Sequence, residues 1–122
     1  KKLINNLSFE NGTSLSFTEV GKIEKNNLNI VTVDGDKLIF PLVLRNFNHG
    51  DYFFPYGMNG SKKVGKFLKD NNVVELDKSS KPILVNGDDK IIWIVGMRLD
   101  DRFSVKNDSK SLLNIEYHKK ST

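Results

Sequence analysis

The sequence predicts an α+β domain built mostly of antiparallel strands, with a short helix near its middle. Three observations carry that prediction. Apolar and polar residues alternate in short runs on both sides of the centre. Turn-forming pairs, Asp34-Gly35 and Asn86-Gly87, separate such runs. The stretch from about 61 to 71 carries a helical period, with Val64, Phe67 and Leu68 at i, i+3 and i+4. At 122 residues the chain reads as one domain, 1–122, long enough to bury a core.

In chain order, residues 1–44 read as antiparallel strands. Leu15–Val20 alternates, and Leu28–Val33 is expected to turn at Asp34-Gly35 and return along Lys37–Leu44, where Pro41 marks an edge or a bulge. Residues 46–60 form a glycine-punctuated loop containing Tyr52, Phe53, Phe54 and Tyr56. Those rings either plug the core or stack on bases; core plugging is the expectation. Ser61 is the expected N-cap of the helix and Asn71-Asn72 its C-cap, with a polar link over 73–81. Pro82–Val85 and Lys90–Val95 form a hairpin around Asn86–Asp89. The apolar run Ile91–Val95 implies cover on both faces of its sheet. A charged turn, Gly96–Phe103, leads towards a last strand at Ser111–Tyr117, and the tail beyond it is expected to be loose.

The net charge is +4, and it is concentrated. Residues 1–44 and 70–122 are each neutral, whereas 45–69 carry Arg45, Lys62, Lys63, Lys66 and Lys69 against Asp51 alone. A local basic stretch is the footprint of a polyanion partner, against the plainer reading of a solvated helix face. The chain lacks alanine and is rich in Lys, Asn and Ile, a bias that inflates lysine. The three arginines, Arg45, Arg98 and Arg102, run against that bias and are the more informative cations.

No catalytic set emerges. Gly60–Lys66 fits G-x-x-x-x-G-K, but Phe67 stands where a phosphate-binding loop needs Ser or Thr, and the helical period starts too early. Asp100 and Asp101 point to opposite faces of a strand, so their expected role is to hold Arg98 and Arg102. His49 and His118 read as surface residues, and two histidines without cysteine make a weak metal case. The absence of cysteine fits a reducing compartment. No apolar run approaches the roughly 18 residues of a membrane span. The expectation is a cytoplasmic protein with no membrane partner. A chain beginning with Lys reads as a piece of a longer one.

Two blocks together resemble a known family. One is Gly50-Asp-x-Phe-x-Pro55-x-Gly57-Met58-x-Gly60-x-Lys62-Lys63, followed by Phe67-Leu68. The other is Pro82-Ile-Leu-Val, then Ile92-Trp93-Ile-x-Gly96-x-Arg98-x-x-Asp101-Arg102-Phe103. Both resemble the C-terminal domain of bacterial tRNA(Ile)-lysidine synthase. Arg45 sits where that family often has an arginine ahead of the Gly-Asp pair. The likeness covers about 45–117, the expected tRNA-binding core. Residues 1–44 match only in strand pattern. The link after the helix, which carries an arginine in many members, has only Lys78 and Lys81.

The resemblance implies a small, sandwich-like β-rich domain with one or two short helices, similar to a domain of the phenylalanyl-tRNA synthetase β chain. It implies a grip on the acceptor end of an isoleucine tRNA. A missing N-terminal domain would use ATP, with Mg, to activate the wobble cytidine and join lysine to it. The family's Ser-Gly-Gly-x-Asp-Ser ATP motif is absent from these residues, so no catalysis, cofactor or metal is expected in this fragment. The expected contacts are Lys62, Lys63 and Lys66 on the helix, with Arg45, Arg98 and Arg102 around it. The expected partners are tRNA and the rest of the same polypeptide, and a homodimer is admitted. The rival readings are a generic single-strand-binding β module, which would expose its aromatics, and a β-sandwich protein-interaction module, whose lysines are merely solvated.

Overall fold

The structure, a computed structural model, describes residues 2–8, 12–23, 27–73 and 81–119. Within the expected polar link over 73–81, residues 74–80, Lys78 included, lie outside the described residues, as does the end of the tail. Two four-stranded sheets and a two-stranded ribbon make up the fold, and the strand pairs in all three are antiparallel. The first sheet runs β1 (Lys2–Ser8), β2 (Ser14–Val20), β10 (Leu112–His118), β3 (Ile30–Asp34). The second runs β4 (Val43–Arg45), β7 (Ile83–Val85), β8 (Ile91–Ile94), β9 (Arg98–Leu99). The ribbon joins β5 (Tyr52–Phe53) to β6 (Lys62–Lys63), directly ahead of helix α1 (Val64–Asp70). This is the expected α+β, sandwich-like class.

The alternation read in β2 places Leu15 and Phe17 fully inside, opposite Tyr117 and Ile115 of β10. They meet Leu84 and Trp93 of the second sheet in a shared core. On the other face of that sheet, Ile83, Val85, Ile91 and Ile94 pack under Val64, Phe67 and Leu68 of α1. The second sheet is therefore covered on both sides, as the unbroken run Ile91–Val95 implies. One register shift lies here. Leu84 faces Trp93 and Val85 faces Ile91, so Ile92 is an extra residue, and it joins Trp93 in the inter-sheet core.

Three local expectations are corrected. First, Asp34-Gly35 does not make a hairpin. Asp34 caps a 3-10 turn at Gly35–Lys37 by accepting from the Asp36 amide at 3.1 Å. β3 pairs with β10 instead. Residues 38–42 are not strand, because their neighbours take the backbone groups a hairpin would use. The Ile39 amide donates to the buried Asn86 side chain at 2.7 Å, and the Gly87 amide donates to the Ile39 carbonyl at 2.6 Å. Only Val43–Arg45 remains strand, on an edge of the second sheet, with Pro41 just outside it.

Second, Ser61 is not the N-cap of α1. Lys63 holds that position without a side-chain cap bond. The reason is the ribbon, in which Tyr52 pairs with Lys63 and Phe53 with Lys62, keeping the chain extended two residues longer. The Val64 amide instead finds the Asp51 carbonyl at 3.0 Å. The expected C-cap is present: Asn71 closes the helix and Asn72 turns left-handed at φ 64°. Third, Gly65 and Lys66 fall in the first turn of α1 rather than mid-helix. The phosphate-loop pattern still fails at Phe67, whose ring is 3% exposed beneath the helix where a hydroxyl would have to face a metal ion.

Candidate nucleic-acid interface

The six cations singled out in the sequence divide into three groups. Arg45, at the end of β4, is clamped by Asp51 through two bonds of 2.9 and 3.1 Å, and it also donates to the Asn46 carbonyl. Burial pushes the Asp51 carboxyl up. The Arg45 hydrogen bond, the Asn48 amide and the arginine's charge outweigh it and hold that carboxyl below its ordinary range. Arg102 is held more tightly. Its Nε and Nη2 donate to Asp100 at 3.0 and 2.9 Å, and its guanidinium lies 4.6 Å from the centre of the Phe54 ring. Asp100 is fully buried and also accepts from the Phe54 and Arg102 amides. One of the two acids expected to hold arginines does so. Asp101 pairs with Lys106 at 3.4 Å instead.

Lys62, like Lys63, belongs to the ribbon rather than to the helix on which both are expected. It turns to Asp70 at 2.7 Å, while Lys66, one turn before Asp70, approaches the same carboxylate at 3.7 Å. The Lys62 bond leads in holding Asp70 below its usual range. Lys63 and Arg98 form the third group, for neither pairs with an acid among the described residues. Arg98 donates to the Tyr56 carbonyl at 3.2 Å and lies 5.7 Å from the Phe67 ring centre; Lys62 flanks the same ring at 5.9 Å.

A groove of about 440 Å³ gathers two of the six, Lys63 and Lys66. Lys63, Lys66 and Lys69 line it, together with Asn48, His49, Gly50 and the Arg45-bound Asp51 of the preceding loop. Gly50, at φ 91°, lets the loop turn back towards the helix. The basic stretch includes Lys69 but the expected contact set does not, and His49 reads from the sequence only as a surface residue. The spacing i, i+4, i+7 of Lys62, Lys66 and Lys69 is the sequence signal for Lys69; nothing local marks His49. Arg45, Lys62, Arg98 and Arg102 do not line this groove, and Arg102 sits in a depression it shares with Asp88 and Asp89. The charge of the central stretch is thus partly spent on Asp51 and Asp70, and Asp100 holds Arg102. What remains along α1 is a row of ammonium groups facing an open groove.

The model of the family described as TilS substrate C-terminal domain matches residues 42–116. This chain belongs to that family. The family's matched region takes in the groove, β7–β10 and all six cations, and it leaves β1–β3 outside. Among curated relatives, a tRNA(Ile)-lysidine synthase from Parabacteroides distasonis is 40% identical over 95 residues, covering 78% of this chain and 21% of the relative. Another, from Caldanaerobacter subterraneus subsp. tengcongensis, is 34% identical over 86 residues, covering 70% and 18%. The chain therefore spans about a fifth of the length of the curated relatives it matches.

Among solved structures, a crystal structure of a TilS C-terminal domain superposes with a TM-score of 0.80 at 20% identity, covering 97% of this chain and 92% of that one. An N-terminal fragment of the phenylalanyl-tRNA synthetase β-subunit from Pyrococcus horikoshii gives 0.62 at 17% identity, covering 75% and 28%. At such identities these likenesses speak for the fold alone, and the fold is the one expected. It includes β1–β3, since the TilS C-terminal domain neighbour covers nearly the whole chain. Among the described residues, no helix is long and apolar enough to cross a membrane, and no cluster of His, Asp and Glu has the make-up of a metal site.

Proposed function

We propose that this chain is the part of a tRNA(Ile)-lysidine synthase that grips the acceptor end of isoleucine tRNA. The ATP-dependent joining of lysine to the wobble cytidine belongs to a separate N-terminal domain of the same polypeptide, in the cytoplasm. The observation that carries this reading is the groove along α1, lysine-lined in a chain of this family. A-form RNA is recognised by its phosphates, its 2′-hydroxyls and its shape, because its major groove is too narrow for side chains. A row of flexible ammonium groups on a fixed helix suits that task.

All six cations remain in the proposed contact set. Lys63, Lys66 and Arg98 lead it, because carboxylates claim them least, and Lys69 joins them. Arg45, Lys62 and Arg102 contribute through guanidinium or ammonium hydrogens left over from their internal pairs. Of the loop rings expected in the core, Phe53 is buried but Tyr52 and Tyr56 are exposed; the burial of Phe53 and of Phe67 supports this reading over a generic single-strand binder, which would present those rings to bases as well.

The test is a titration of the 122-residue chain against isoleucine tRNA and an acceptor-stem minihelix at several salt concentrations. Binding should weaken with salt, each phosphate contact adding roughly 0.7–0.9 to the slope of log K against log salt. Undetectable binding to both RNAs at low salt, or binding indifferent to salt, overturns the proposal and leaves a protein-interaction module.

A further inference from the structure

A second concavity, of about 220 Å³, opens where β3 of the first sheet approaches β9 of the second. The buried ring of Trp93 and the side chain of Leu99 line it. Its lining includes three exposed apolar groups, Ile23 at 55%, Leu28 at 68% and Tyr56 at 54%. Arg98 stands in its wall. It is smaller than the roughly 300 Å³ at which pockets for drug-sized ligands begin, so it has room for about one ring system.

Arg98 ties this pocket to the basic face. Its guanidinium borders the Phe67 ring of α1, which Lys62 flanks as well, and it pairs with no acid among the described residues. A cation on the wall of an apolar slot asks for a ligand with a flat apolar body and an adjacent negative charge. A nucleotide has that form. An apolar protein side chain leaves the cation unused, and a bare phosphate leaves the apolar walls unused.

We infer that this pocket takes one unstacked base from the single-stranded 3′ end of the bound RNA, with Tyr56 against the base and Arg98 on the neighbouring phosphate. The inference rests on the acceptor-end reading and deepens it: the groove along α1 holds the duplex, and the pocket holds a nucleotide beyond it. Bases are read when they are splayed from the helix and stacked on aromatic or guanidinium planes.

The experiment compares two minihelices with the same duplex, one blunt and one with a single-stranded 3′ tail. The wild-type chain should bind the tailed RNA roughly tenfold more tightly, the effect of about one stacked base. Tyr56→Ala should abolish that gain and leave the blunt duplex bound as before; Tyr56→Phe should keep it. Leu28→Asp, at the most exposed of the three apolar groups, is a second variant that should also abolish it, and thermal melts check that each variant is folded. Equal wild-type affinity for both RNAs overturns the pocket alone and leaves the groove standing. So does a tail gain that persists in folded Tyr56→Ala and Leu28→Asp. Failure to bind either RNA overturns the groove and the pocket together.

Discussion

Four donors converge on Asp100: the amides of Phe54 and Arg102 and two guanidinium nitrogens of Arg102. A fully buried carboxylate persists only when its charge is matched and its lone pairs are filled. Asp100→Asn keeps the shape and removes the charge, so it should cost about 3–5 kcal/mol, the range for breaking a buried pair. A denaturant melt showing a loss below about 1 kcal/mol would mean that Arg102 is not committed to Asp100. Asp51 carries a related expectation with a pH signature. Its folded value lies below the ordinary 3.8, so its contribution is present above about pH 4 and is lost as pH falls through the lowered folded value. Stability should therefore hold down to about pH 5 and drop in more acidic solution. Asp51→Asn should be less stable near neutrality and lose stability less steeply on acidification; an unchanged acid limb in the melt would discount the Arg45 clamp.

At the scale of elements, α1 is an amphipathic helix too short to stand alone. Its stability comes from Val64, Phe67 and Leu68 on the second sheet, with Phe53 meeting Phe67 edge-on at 5.2 Å. Phe67→Ala should cost about 3–5 kcal/mol in a denaturant melt, enough to threaten a small domain. The opposite face carries the lysines of the proposed contact set, with Lys66 partly held by Asp70. Replacing Lys63, Lys66 and Lys69 by Ala should leave the fold intact and flatten the salt dependence of tRNA binding by about 2–3 units. The loss should be similar for RNAs of different sequence, because phosphates carry no base identity. A folded triple variant with an unchanged slope would reduce the lysines to a solvated face.

The β7–β8 turn illustrates how elements lean on each other. A methyl group added at Gly87 would run into the Ile39 carbonyl oxygen, to which the Gly87 amide itself donates. Gly87→Ala should therefore destabilise the domain more than an exposed turn position would, by about 1–3 kcal/mol, and the same melts read it.

At the scale of the molecule, the two sheets form one body. Leu15, Phe17 and Ile115 from the first and Leu84 and Trp93 from the second share a core, so β1–β3 are expected to support the binding face mechanically without touching RNA. The purified chain should turn over no ATP. Measurable hydrolysis, free of contaminating activity, would contradict the placement of the chemistry in another domain.

Much of this protein was legible along the chain because the forces involved are local and periodic. Alternation marked β2 and β10, an unbroken apolar run marked a strand covered on both faces, and i, i+3, i+4 spacing marked the buried side of α1. Charge counting found the stretch that carries the groove. Tertiary structure decided the rest, where several segments compete for the same backbone hydrogen bonds or the same charge. Asp34-Gly35 has the chemistry of a hairpin, yet Asn86 and Gly87, distant in sequence, take the groups of Ile39 and send residues 38–42 across to the second sheet. Ser61 has the chemistry of an N-cap, yet pairing with Tyr52 and Phe53 holds Lys62 and Lys63 extended. The basic stretch reads as a row of like charges, yet Asp51, Asp70 and Asp100 each claim a member of the cationic set. Which ammonium and guanidinium groups remain available is set by distances between residues that no spacing along the chain reveals.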